Sequence, residues 1–330
     1  MTKSIKKIIQ NLSGILIGGL FLYLTLREKP LGSVWKSLEN ADYFFILLSF
    51  LCLFIIFYLR AIRWQLLIEE SEQKVATDKA LTSVLLGYFV NSFTPKLGEI
   101  VRCTSLQKNS NVPVSISMGS VMAERAYDLL VLALGILTIF FIELDRLQTI
   151  IDSTIGGISH IYGYQYIYIL FGIFLLAFLL FLISLKKLKK SEKKPIKKII
   201  GFLQSMFESL KNGLLLKKRA KFIILTISIW VMLVLLNYIY LLCLPDTAGY
   251  SIQFAVVILF IGGLGWALPS PGGIGTTHFF LLQLFLAFQL DPSAGISFGI
   301  LSNGLTFIGT ILLGGYGYLR YRIETKNTAA

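Results

Sequence analysis

The sequence predicts an all-α, polytopic integral membrane protein, with about six full transmembrane helices plus two re-entrant or broken helical hairpins in an inverted-topology repeat. Three observations carry that reading. Apolar runs of about 20 residues recur from end to end, charge is scarce, and two of the runs are interrupted by prolines and glycines.

Of the 330 residues, 55% are hydrophobic and 15% charged, and the mean hydropathy is +0.73; soluble domains carry about 25% charged residues. An ordinary soluble enzyme is excluded. No stretch is polar enough to form a separate aqueous domain, so a single transmembrane domain over residues 1–330 is expected. The net charge of +13 would suit a nucleic-acid partner, but the lysines and arginines gather beside apolar spans. Membrane orientation and anionic lipid account for them there, and no nucleic acid is expected. Cys52, Cys103 and Cys243 are odd in number and lie in or beside apolar segments, which reads as packing rather than a disulfide framework. Lys3, Lys6 and Lys7 precede an apolar run that no small-residue cleavage site closes, so it reads as a retained first helix.

The full spans are expected at Ile8 to Leu26, Tyr43 to Trp64, Ser115 to Ile142, Tyr164 to Leu185, Phe222 to Leu244 and Ile296 to Leu319. Two regions do not read as one clean helix. The first is Ala80 to Thr94 with its continuation to Leu106, turning near Pro95 and Gly98. The second is Ile252 to Leu290, broken by Pro269, Ser270, Pro271, Gly272 and Gly273 and either re-entrant or crossing twice.

Orientation comes from charge. The linker Lys186 to Lys198 carries eight lysines against the single Glu192, which places it in the cytoplasm by the positive-inside rule. The N-terminal lysines and Arg320, Arg322 and Lys326 agree, so both termini are expected to be cytoplasmic, in a bacterial inner (cell) membrane. A full crossing at Ala80 to Thr94 would put the lysine-rich linker on the wrong side; a re-entrant excursion restores parity. The order becomes span, span, hairpin, span, basic linker, then the same again from the other side. The first repeat is about 1–145, the linker about 186–221 and the second repeat about 160–320. In such inverted repeats the broken elements meet near the midplane and build a substrate site, because non-helical backbone is tolerated there only inside protein or along a wet cavity.

Ionisable groups inside a bilayer are costly and therefore mark candidate sites. Glu99 and Arg102 follow the first break at i, i+3 spacing and share a helical face. Glu124, Arg125 and Asp128 lie within an apolar run, with Glu124 and Asp128 on one face. Arg60 and Arg63 close the second span beside Trp64, where snorkelling to the interface and function are both open readings. At the second break, Pro271, Gly272, Gly273 and Gly275 precede a restarting helix whose N–H groups can hold an anion, with Arg102 or Arg125 as cationic partner. His278 reads either as a titrating group or as a hydrogen-bonding packing residue. The scattered Gly18, Gly19, Gly314 and Gly315 are read as ordinary helix packing, so Gly314→Ala is expected to be neutral.

Together, Arg60-x-x-Arg63-Trp64, Pro95-x-x-Gly98-Glu99-x-x-Arg102, Glu124-Arg125-x-x-Asp128 and Pro269-x-Pro271-Gly272-Gly273-x-Gly275 resemble the lysylphosphatidylglycerol synthase transmembrane family, also called flippase-like or UPF0104 membrane proteins. The resemblance covers nearly the whole chain. It implies an inner-membrane domain that moves lipids or lipid-linked intermediates between leaflets. In the larger synthases that domain precedes an aminoacyl-transferase domain, which this chain, ending just after Ile323, is expected to lack. The family usually carries a glutamate where this sequence has His278.

The leading expectation is a flippase-like protein that binds or moves a phospholipid or polyprenyl-phosphate-linked lipid, the headgroup held between the two hairpins. Its partners would be an anionic membrane lipid and, as a candidate, a lipid-synthesis enzyme. No Walker A run, metal-ligand cluster or nucleophile motif is present, so neither a cofactor nor an enzymatic activity is expected. The competing readings are an intramembrane lipid-modifying transferase using Glu99, Glu124 or Asp128 as general base, and a small-solute secondary transporter.

Overall fold

The computed structural model describes residues 18–26, 31–94, 97–143, 217–267 and 270–329. The expected span Tyr164 to Leu185, the lysine-rich linker, most of the first span, Pro95 and Pro269 lie outside the described residues. The chain divides into two compact units, Met1–Glu124 with Leu216–Ala330, and Arg125–Leu215.

Among the described residues every regular element is helical. We number them α1 (18–26), α2 (Leu31–Glu39), α3 (Tyr43–Glu69), α4 (Thr77–Phe93), α5 (Leu97–Ser110), α6 (Val114–Ile142), α7 (Arg219–Leu242), α8 (Ile252–Ala267), α9 (Thr276–Ala287) and α10 (Pro292–Ala329). A 3₁₀ turn at Pro271–Gly273 lies between α8 and α9. Helices α3, α6, α7 and α10 are long and apolar enough to cross a membrane. The chain is thus an all-α polytopic membrane protein.

Local sequence sets the helix ends. Asp42 caps α3 by accepting the Phe44 N–H at 2.8 Å, and Asp291 caps α10 by accepting that of Ser293 at 2.9 Å. Pro292 follows as first helical residue, where its missing N–H costs nothing. This cap starts α10 four residues before the expected Ile296, and the helix continues beyond Leu319 to Ala329. At about 1.5 Å per residue α10 is roughly 57 Å long, well beyond a core of about 30 Å.

The interrupted regions are helical hairpins, α4 with α5 and α8 with α9. Their arms have 17, 14, 16 and 12 residues, or roughly 18 to 26 Å each, against a hydrocarbon core of about 30 Å. Helix α4 is the centre of the first unit. Its residues Ala80 to Gly87 are buried on every side, against α3, α5 and α10.

The hairpins open at opposite ends of this unit. At one end the base of the first hairpin joins the ends of α3, α7 and α10. Gln65 Nε2 donates to Val75 O at 2.9 Å, Lys218 Nζ pairs with Glu69 at 3.0 Å, Lys79 Nζ donates to Asn109 O at 2.7 Å, and Asn109 Nδ2 donates to Glu324 at 3.1 Å. At the other end the Asp42 N–H donates to Cys243 O at 2.8 Å, and Val34 of α2 packs on Leu282 and Ile296 beside the base of the second hairpin. The tips meet between these ends: a methyl group placed on Gly272 would lie 4.0 Å from Ser92 O and 3.8 Å from the Phe307 ring.

Gly314 corrects the expectation of neutrality. A Cβ there would lie 2.5 Å from Phe89 Cβ of α4, whereas one on Gly19 or Gly315 would meet nothing within 4 Å. Gly18 is also tight, because its Cβ would fall 2.9 Å from Ile274 O in the second break.

Candidate functional site

Three helical segments of the first unit place one charge each at a common point. Arg63 projects from α3, Arg102 from α5 and Glu124 from α6. Arg63 Nη2 donates to Glu124 Oε1 at 3.1 Å, and Arg102 Nη1 donates to Glu124 Oε2 at 2.8 Å. Arg63 and Glu124 are 0% exposed and Arg102 2%. Counted along the helices, Arg63 lies about 9 Å inside the Glu69 end of α3, Arg102 about 12 Å from the Ser110 end of α5 and about 8 Å from its Leu97 end, and Glu124 about 15 Å from the start of α6, so the cluster lies at mid-depth of the first hairpin. At these depths the charges need each other, because removing one leaves another buried without its counter-charge.

Aromatic and hydroxyl groups frame the cluster. The Arg102 guanidinium lies 3.8 Å from the centre of the Trp64 ring, within the range of a cation–π contact. The Trp64 indole N–H donates to Ser120 Oγ at 2.8 Å. Arg63 Nη1 reaches Thr226 Oγ1 at 3.4 Å and its guanidinium stands 5.9 Å from the Phe222 ring centre. Sequence alone leaves Arg63 open between snorkelling and function; complete burial removes snorkelling. Ser120 and Thr226 were not singled out, and Trp64 entered only through the Arg60-x-x-Arg63-Trp64 motif.

The second assembly is the junction of the hairpin tips. In the first hairpin Asn91 Oδ1 accepts the Gly98 N–H at 2.8 Å, and Gly98 packs directly on Gly87 O, leaving no room for a side chain. In the second, Gly272, Gly273 and Gly275 have φ of 58°, 72° and 83°, a region closed to most side chains. Thr276 Oγ1 donates to Gly265 O at 2.8 Å, and Asn303 Nδ2 of α10 donates to Gly272 O at 3.1 Å, satisfying a carbonyl that no helix serves. The Thr277 side chain, 6% exposed, starts α9 with no hydrogen-bond partner for its hydroxyl among the described residues. Thr277 and Asn303 went unnoticed in the sequence because single polar residues in apolar runs carry no pattern.

The other candidate residues take separate places. His278 is buried, and its Nδ1 accepts the Gly275 N–H at 3.3 Å, which makes it a cap of α9. Pro271 opens the 3₁₀ turn. Glu99 is half-buried in the first turn of α5. Arg60 is half-buried, its guanidinium 5.9 Å from the Tyr88 ring centre. In the second unit Arg125 pairs with Asp128 at 3.8 Å, one turn apart on α6.

Comparison with known proteins places this architecture. The chain is 26% identical over 326 residues to a UPF0104 membrane protein of Pyrococcus horikoshii, covering 93% of this chain and 96% of that one. It is 23% identical over 331 residues to a UPF0104 membrane protein of Methanocaldococcus jannaschii, covering 93% and 94%. No solved structure matches it. The family model for the lysylphosphatidylglycerol synthase TM region matches residues 11–314, a stretch that holds both interrupted hairpins and the Arg63–Glu124–Arg102 cluster, and the chain belongs to that family.

Proposed function

We propose that this protein is a lipid translocase without direct ATP drive. It binds the anionic headgroup of a phospholipid or a polyprenyl-phosphate-linked lipid between its two interrupted hairpins and passes it between leaflets. The observation that carries this reading is that the hairpins open at opposite ends of one unit and approach each other at Ser92 and Gly272. Helices broken at mid-depth offer backbone dipoles to a polar ligand there, and openings on opposite faces suit alternating access. Charge supports an orientation. Lys74, Lys108, Lys218, Arg219, Arg320 and Arg322 mark the end where the first hairpin opens, and Glu39, Asp42, Asp246 and Asp291 the other. The basic end faces the cytoplasm, together with both termini and the Lys186 to Lys198 linker, in a bacterial inner membrane. A lipid-synthesis enzyme is the partner class this role implies. The transferase reading fits less well, because both oxygens of Glu124 are engaged by guanidinium groups rather than presented as a base.

The test is transport in reconstituted vesicles carrying labelled phosphatidylglycerol or phosphatidylcholine. The anionic lipid should cross faster than in protein-free vesicles and faster than the neutral one, and Arg102→Gln or Glu124→Gln, inserted at normal levels and folded, should each slow it at least tenfold. Full activity in both variants defeats the site assignment. Equal movement of the two lipids defeats the headgroup role.

A further inference from the structure

Each arginine of the buried cluster is held by groups other than the carboxylate between them. Arg102 rests on Trp64, which Ser120 fixes in turn. Arg63 is bonded to Thr226, whose own hydroxyl donates to Phe222 O at 2.9 Å. Both cations therefore keep their positions if the carboxylate leaves. Glu124 offers a separate oxygen to each guanidinium, the same bridge that two oxygens of a phosphate group would make. Apolar side chains often replace a buried ionic triad without loss of stability, so stability alone does not account for this one.

Resting on the lipid reading above, we propose that the Arg63–Arg102 pair is a second phosphate position beside the junction of the hairpin tips, that Glu124 is the internal anion occupying it, and that the lipid phosphate displaces Glu124 there by taking over Arg63 and Arg102. Arg102 belongs to α5, the returning arm of the first hairpin, and its bond to Glu124 ties that arm to α6. Arrival of the phosphate breaks the tie and frees the arm to move; return of the carboxylate expels the phosphate. Glu124 thereby competes with the lipid rather than helping to bind it.

A competitor and a helper give opposite signs on removal. Binding of labelled phosphatidylglycerol to the purified protein in neutral detergent should tighten about tenfold in Glu124→Gln and by a smaller factor in Glu124→Asp, whose shorter carboxylate cannot bridge both arginines. Binding of diacylglycerol, which carries no phosphate, should not change. Weaker phosphatidylglycerol binding in these variants overturns the proposal and leaves the transport reading intact. Absence of phosphatidylglycerol binding in the parent and both variants overturns the two together. Inorganic phosphate forms a separate arm: if it raises the melting temperature of Glu124→Gln while phosphatidylglycerol binding gains nothing, the occupant is free phosphate and the proposal fails. Should Glu124→Gln not fold, Glu124→Asp, which keeps the charge, decides the sign alone.

Discussion

Thr277 and Gly273 sit against each other at the start of α9. A Cβ on Gly273 would lie 2.7 Å from the Thr277 hydroxyl and 3.2 Å from the Trp266 ring, at a φ of 72°. Strain and crowding therefore act together, and Gly273→Ala should cost about 1 to 2 kcal/mol. Gly315→Ala, with open space around it, should leave the melting temperature unchanged and replaces Gly314→Ala as the control. Thr277→Val separates stability from binding. Removing a buried hydroxyl that has no partner among the described residues should hold or raise stability by up to about 1 kcal/mol. If that hydroxyl serves the phosphate, phosphatidylglycerol binding should fall several-fold in the same protein. A variant that loses stability and keeps binding would make Thr277 a packing residue.

The Glu124 carboxylate of α6 joins that helix to both α3 and α5. Arg102→Met leaves Glu124 with a partner missing in a dry interior and should cost about 3 to 5 kcal/mol. The triple change Arg63→Met, Glu124→Leu, Arg102→Met removes every charge of the cluster and should cost less than Arg102→Met alone. Thermal unfolding of the two variants checks this, and a triple variant less stable than the single one would show that the charges set the helix arrangement itself. The glycine contact inside the first hairpin is of another kind. Gly98 lies on Gly87 O, so its role is close approach of two backbones. Alanine there has to move α5 away from α4, and with it Arg102, which stands one turn further along the same helix.

At the scale of the whole molecule, the proposed orientation can be tested directly. In a variant lacking Cys52, Cys103 and Cys243, Lys190→Cys should be labelled by an impermeant thiol reagent only after the membrane is opened. Labelling from outside intact cells would invert the proposed topology. The stakes extend to mechanism, because orientation decides which hairpin faces the cytoplasmic leaflet and hence from which side the Arg63–Glu124–Arg102 cluster is approached.

The sequence by itself determined the class and the break points. Hydropathy is a sum over neighbouring residues, so runs such as Tyr43 to Trp64 and Phe222 to Leu244 show themselves without any knowledge of packing. Proline and glycine act on their own backbone, and so Gly272 and Gly273 marked the place where the second hairpin turns. Contact across helices is of another order. Glu124 meets one arginine 61 residues before it and another 22 residues before it, and no local pattern records that meeting. A charge near a helix end, such as Arg63, can equally reach for water or turn inward, and only the packing of α5, α6 and α7 around it closed the outward path. Gly314 resembled any membrane glycine until Phe89 of the neighbouring helix was found against it. Tertiary structure decided these points because burial and charge pairing belong to surfaces built by several helices together, and none of those helices carries the surface alone.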